Sequence, residues 1–129
     1  AILDVKLRHL PEWTEQRINI ANTYHSLLKN LPITLPEMNP AKKHVYHIFA
    51  IATDRRQRII EALKANQIAF GIHYPLPLHL QPAYSYLHYK PGDLPNSELL
   101  STQFLSLPMY AELSRDNIEK ICQVIASVY

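Results

Sequence analysis

The chain has 129 residues with 13 lysines and arginines against 11 aspartates and glutamates, and this near balance excludes an obvious nucleic-acid-binding surface. Apolar residues make up 47% and charged residues 19%, a globular composition that excludes a disordered tail and a membrane-spanning segment and predicts one soluble domain over residues 1–129. The one cysteine excludes a disulfide framework and favours the cytoplasm, and two glycines are too few for a phosphate-binding loop.

The first part of the sequence predicts one long helix over residues 1–31. From Leu10 onward, apolar side chains recur at steps of three and four residues, which is typical of an amphipathic helix. Pro11 lacks a backbone N–H, so we expect a kink or a restart near His9. The residues before it have the composition of a helix interior with no cap. This indicates either a terminal helix docked on the rest of the domain or a further domain before Ala1, and we favour the second.

The middle of the chain predicts two strands with a helix between them. Residues 44–53 are mostly apolar or aromatic and rich in β-branched side chains, as in a central strand. Asp54 is placed to cap the next helix, with Gln57 three residues later in a variant of the capping box. This helix is predicted to end at about Asn66. A short second strand is predicted over residues 68–72.

Residues 73–96 contain five prolines that oppose regular structure, although their tyrosines and histidines indicate an ordered loop. A short helix is predicted from Ser97, a third strand over residues 104–107, and a last helix capped by Ser114 with Cys122 on its buried face. These elements are too few for a doubly wound sheet. They predict an α+β fold: a small, mostly antiparallel sheet of about three strands with helices on one face.

Function is expected in the ordered loop, residues 71–89, because a scaffold can hold such a loop while its polar side chains remain available. The spacing of its three histidines matches no known metal site, so we expect no metal there. Pro75 favours extended backbone at Tyr74. His73 and Tyr74 are therefore predicted to be held stiffly toward a hydroxyl-rich or phosphorylated ligand.

Three other groups are better explained by structural roles. Cys122 lies on an apolar helix stripe, which predicts a buried, unreactive thiol. His44 and His47 are predicted to point to opposite faces of a strand, so they would not bind a metal together. The arginines that follow Asp54 are predicted to form a solvated helix face.

The string GIHYPLPLHLQPAY, from Gly71 to Tyr84, resembles the GIHYPxPxHxQPAY signature of DegT/StrS-type sugar-nucleotide aminotransferases. These are fold type I enzymes that depend on pyridoxal 5′-phosphate (PLP). Three further stretches agree with the family in order and spacing: residues 1–13, 44–47 and 105–109. Family members are much longer than this chain. The chain therefore resembles their C-terminal small domain, with residues 1–31 as the helix that leads out of a missing large N-terminal domain.

The resemblance implies transfer of an amino group, usually from glutamate, to a keto-sugar nucleotide, in a homodimeric parent enzyme that binds PLP. His73 and Tyr74 match positions that the family places near the sugar nucleotide, and His79 and Tyr84 in the same loop are further candidate substrate contacts. The Schiff-base lysine lies outside the chain. No catalytic or cofactor-binding residue is therefore expected here, and the fragment alone is expected to bind no PLP and to be inactive.

Two alternatives remain open at this point. The chain fits a non-catalytic module that binds a sugar nucleotide or a protein through the same loop. It also fits the small domain of a related PLP-dependent sugar dehydratase, in which histidine replaces the lysine. The position that separates the aminotransferase from the dehydratase lies outside these residues.

Overall fold

A computed structural model describes residues 1–129 as four α-helices around a two-stranded antiparallel sheet. The helices are α1 (Ile2–Leu28), α2 (Arg56–Ala65), α3 (Pro95–Gln103) and α4 (Arg115–Ala126). The strands are β1 (Phe49–Ala52) and β2 (Phe104–Leu107), and two 3₁₀ helices, Leu78–Leu80 and Pro82–Leu87, lie between α2 and α3. The fold belongs to the predicted α+β class. None of the helices is long and apolar enough to span a membrane.

The sheet is smaller than the three strands predicted. In the β1–β2 pair, Phe49 lies opposite Leu107. The predicted second strand touches β2 at a single bridge, where Gly71 and Ser106 exchange both backbone hydrogen bonds at 2.9 and 2.8 Å. The pairing stops there because the chain enters a loop whose prolines have no N–H to donate to a ladder. The strand predicted over residues 44–53 is also shorter, because only Phe49–Ala52 forms β1.

His44 and His47 therefore precede β1 rather than alternate along it, and the prediction about their faces was wrong. The backbone between them turns at Tyr46, which has a positive φ of 45°. The Tyr46 N–H donates to Nδ1 of His44 at 3.0 Å, so the His44 side chain stabilises the turn. This local hydrogen bond competes with strand pairing.

Helix α1 continues through Pro11 without the predicted restart. Pro11 leaves the carbonyl of Leu7 without its N–H partner, but all side chains from residue 1 to residue 12 are exposed, so water reaches this turn. The Thr14 hydroxyl donates to the carbonyl of Leu10 at 2.8 Å. The missing backbone hydrogen bond lies outside the core, where water can bind the Leu7 carbonyl and the loss of stability is small.

The predicted capping box at the start of α2 does not form. The helix begins without a side-chain cap, and Gln57 donates instead to Glu61 at 3.1 Å. The following arginines are also less solvated than predicted. Arg55 donates to the carbonyl of Val128 at 2.8 Å, and Arg56 donates to the carbonyl of Ser101 at 2.6 Å. These contacts tie α2 to the chain end and to α3.

One apolar core lies between α1, α2, α4 and the sheet. Tyr24 of α1 stacks on Phe49 at 4.9 Å between ring centroids, and its hydroxyl donates to the carbonyl of Pro108. Ser114 caps α4 as predicted, accepting from the Asn117 N–H at 3.4 Å. Cys122 is buried on this helix, and desolvation raises its pKa to about 12, so the thiol stays protonated.

Candidate functional site

A cleft of about 530 Å³ lies between the proline-rich loop and α3. Residues 73–81 form one wall, and α3 with Phe104 forms the other. Half of the lining residues are apolar, and the polar ones are His73, Tyr74, Gln81, Ser97 and Ser101. A cleft that combines an apolar lining with convergent polar groups is the usual form of a small-molecule site.

The backbone pairing of Gly71 with Ser106 places His73 at this cleft. Two residues after the bridge, the imidazole folds back over Gly71, and its Nδ1 lies 2.9 Å from Oγ of Ser106. A Cβ on Gly71 would lie 2.5 Å from Cε1 of the ring, so glycine is required here for close approach. Nε2 of His73 has no hydrogen-bond partner within the chain and remains available to a ligand.

Tyr74 stands beside His73 at the rim of the cleft. The two rings meet edge to face with centroids 5.6 Å apart, and the peptide bond between the residues is cis. Tyr74 is 69% exposed, and its hydroxyl has no partner within the chain. The structure therefore brings the first two predicted site residues together with a free polar atom on each.

His79, by contrast, does not line the cleft. Its side chain is 5% exposed, and its Nε2 lies 3.1 Å from a carboxylate oxygen of Glu98 in α3. The carboxylate also accepts from the N–H groups of Gly92 and Leu94. The hydrogen bond from Gly92 is the largest cause that lowers the pKa of Glu98. The pair ties the loop to α3 and so holds the two walls of the cleft together.

Tyr84 also lies away from the cleft. It belongs to the second 3₁₀ helix, where its half-buried ring lies 6.5 Å from that of Tyr86. Sequence reasoning missed Ser97 and Ser101, which share the cleft-facing side of α3. Their i, i+4 spacing could have indicated one helix face. No local signal pointed to Ser106, because its partner lies 33 residues away.

A second cleft of about 330 Å³ shares His73 with the first and is also lined by Gly71 and Ser106. His47 lines this second cleft together with apolar side chains from both strands' ends. The imidazole of His73 therefore lies between the two clefts and lines each of them. No group of three or more histidine, cysteine, aspartate or glutamate side chains is arranged to hold a metal ion.

Neither cleft contains a lysine. The chain has seven: Lys6, Lys29, Lys42, Lys43, Lys64, Lys90 and Lys120. In an aminotransferase, a lysine amine forms the Schiff base that holds PLP. The residues around His73 and Tyr74 therefore do not by themselves fit PLP, and the chemistry they offer is hydrogen bonding and apolar contact.

Comparison with known proteins matches residues 1–126 to the DegT/DnrJ/EryC1/StrS aminotransferase family. The pleiotropic regulatory protein of Geobacillus stearothermophilus is 41% identical over 100% of this chain and 36% of its own length. The dTDP-3-amino-3,4,6-trideoxy-alpha-D-glucose transaminase of Streptomyces venezuelae is 36% identical over 97% of this chain and 33% of its own length. The crystal structure of S. venezuelae DesV superposes with a TM-score of 0.93 at 35% identity, covering 98% of this chain and 34% of that one. The chain thus spans about a third of the length of these relatives.

Proposed function

The chain belongs to the DegT/DnrJ/EryC1/StrS aminotransferase family, and we propose that it is the C-terminal small domain of a PLP-dependent sugar aminotransferase. The parent enzyme moves an amino group from a donor such as glutamate to a keto-sugar nucleotide. This domain binds the sugar nucleotide through His73 and Tyr74. The observation that carries the proposal is their placement side by side at an apolar cleft, with Nε2 and the hydroxyl both unpaired.

The chemistry of the cleft suits this ligand. Sugar hydroxyls and phosphate oxygens pair with an imidazole N–H and a phenol, which are the two free polar groups at the rim. The apolar wall, which includes Leu76, Leu100 and Phe104, gives the flat faces of a sugar or a base a surface to pack on. The cleft therefore orients the substrate, and the reacting atoms lie beyond it.

In the parent enzyme, PLP supplies the electron sink for amino transfer. A large N-terminal domain holds it and provides the lysine that this chain lacks around the cleft. The apolar start of α1 supports the presence of such a neighbour, since Ile2 and Leu3 are 76% and 75% exposed. A second subunit completes the assembly. The contribution of this chain is to bind and orient the substrate.

The proposal is tested in the complete enzyme with His73→Ala and Tyr74→Phe. We expect both to lower turnover of the sugar substrate while the absorbance spectrum of bound PLP stays unchanged. Tyr86→Phe is the matched control, because this tyrosine is 67% exposed in the same loop but does not line the cleft. An equal loss of folding stability in both site variants, without a selective effect on the sugar substrate, would contradict the assignment.

A titration of the 129-residue chain with a nucleotide sugar separates this proposal from an independent binding module. Because the chain carries only one side of the substrate cleft, we expect weak binding or none. Tight binding by the chain alone would favour the non-catalytic module.

A further inference from the structure

We propose that Ser106 is a positioning residue that fixes the imidazole of His73 as the tautomer with its proton on Nε2. The Ser106 hydroxyl donates to Nδ1, and the opposite edge of the ring presents an N–H donor to the cleft. This inference rests on the proposed function and deepens it. It states that the ligand atom next to His73 is a hydrogen-bond acceptor.

Ser106 is a fixed point in the structure. It lies within β2 opposite Ala50, and the residue is 6% exposed. Its backbone N–H donates to the carbonyl of Gly71, and its own carbonyl accepts from the Gly71 N–H. Strand pairing on one side and the Gly71 bridge on the other hold the hydroxyl in place, 2.9 Å from Nδ1 of His73.

The hydrogen-bond inventory decides the tautomer. The Ser106 hydroxyl makes one hydrogen bond, the one with Nδ1 of His73. If Nδ1 carried the proton, it would donate to Oγ, and the serine proton would be left buried without an acceptor. That arrangement is disfavoured by roughly 5- to 150-fold, the factor that corresponds to an unsatisfied buried donor. With the proton on Nε2, the serine donates to Nδ1 and every group is paired or open to a ligand.

The surroundings of the ring hold it in this orientation. Gly71 lies beneath the imidazole with no side chain to displace it, and the Tyr74 ring meets it edge to face. Nε2 is thereby the one ring nitrogen left for a ligand. A fixed N–H donor favours an oxygen lone pair, such as that of a phosphate, a hydroxyl or a carbonyl, and disfavours a second donor.

The tautomer is measured directly by long-range proton–nitrogen correlation on the 129-residue chain with isotope-labelled histidine, at alkaline pH where neutral imidazoles are observed. His73 is identified by the signals lost in His73→Gln. We expect a protonated Nε2 and an unprotonated Nδ1. A protonated Nδ1 in the unmodified chain overturns the proposal without reference to any variant.

Two substitutions test whether Ser106 is the cause. Ser106→Ala should give a mixed tautomer signal for His73, and Ser106→Thr, which keeps the hydroxyl and suits a strand, should restore the single tautomer. Ser101→Ala is the matched control, because Ser101 lines the cleft but its hydroxyl donates to the carbonyl of Glu98 within α3. An unchanged His73 signal in Ser106→Ala overturns the proposal.

Steady-state kinetics of the complete enzyme separate this inference from the proposed function. In Ser106→Ala only a fraction of His73 keeps the proton on Nε2, so KM for the sugar nucleotide should rise by the inverse of that fraction, about twofold for an equal mixture, with kcat and the PLP spectrum unchanged. Tautomer mixing without any change in KM would uphold the positioning role of Ser106 and refute the assignment of His73 to the substrate.

Discussion

Gly71→Ala tests the close approach on which the whole site depends. The added Cβ would lie 2.5 Å from Cε1 and 3.2 Å from Nδ1 of His73. An ordinary contact between carbon atoms is about 3.5–4.0 Å, so the ring must retreat by at least about 1 Å. The hydrogen bond to Ser106, now 2.9 Å, would then be broken.

The change in unfolding free energy for Gly71→Ala depends on which hydrogen bonds are lost when the His73 ring moves. Because the His73 side chain is exposed, the ring swings into solvent and stores little strain. The buried Ser106 hydroxyl loses its partner, which costs about 1–3 kcal/mol of unfolding free energy. Gly71 has no positive φ, so alanine fits the backbone and recovers about 0.4–1 kcal/mol by restricting the unfolded chain. We expect a net loss of about 1 kcal/mol.

A double-mutant cycle isolates the clash from the effect on the backbone. When His73→Ala is already present, the ring and its hydrogen bond are gone, and Gly71→Ala should then stabilise by about 0.4–1 kcal/mol. The change of sign between the two backgrounds is the signature of the contact. Urea unfolding followed by circular dichroism measures all four variants, provided that m stays constant.

Gly92→Ala provides the control for this cycle. Gly92 has a φ of 95°, and a Cβ there would meet no atom within 4 Å. Its substitution should therefore destabilise the chain through backbone strain alone, by the same amount with or without His73. If Gly71→Ala also cost the same in both backgrounds, the imidazole would not lie over Gly71, and the description of the site would be refuted.

Three further predictions concern other parts of the chain. Because hydrogen bonding holds the pKa of Glu98 below its usual range, its stabilising effect is present at neutral pH and is lost as the pH falls through that lowered pKa. The protection factor of the Gly92 amide, which is its exchange rate corrected for the intrinsic rate at each pH, should fall there, and a constant protection factor would contradict this. Cys122, with its pKa raised to about 12, should resist a thiol reagent at neutral pH until urea unfolds the chain; rapid labelling of the folded chain would refute its burial. The exposed apolar start of α1 should drive self-association in sedimentation experiments, and Leu3→Ser with Leu7→Ser should reduce it; a clean monomer at high concentration in the unmodified chain would count against this.

Several features of the fold are determined by local sequence. The apolar repeat of three and four residues located α1 and α4. A helix buries one face, and residues on that face recur at this spacing in the sequence. Residues 104–107 form β2 with the predicted bounds, since Pro108 ends the strand where it removes a donor. Ser114 forms the cap that its side chain favours. The motif at residues 71–84 located His73 and Tyr74 by resemblance.

Only the tertiary structure decided which of the four candidate residues share the cleft. His79 is buried against Glu98, 19 residues away, and Tyr84 turns away from the cleft in a 3₁₀ helix. Ser106 meets His73 across 33 residues. Pairing between distant segments, like the length of β1, depends on where the intervening loop runs and which partner it meets. Periodicity encodes which side of a helix or strand is buried, but the hydrogen bonds that orient a side chain come from residues far away in sequence.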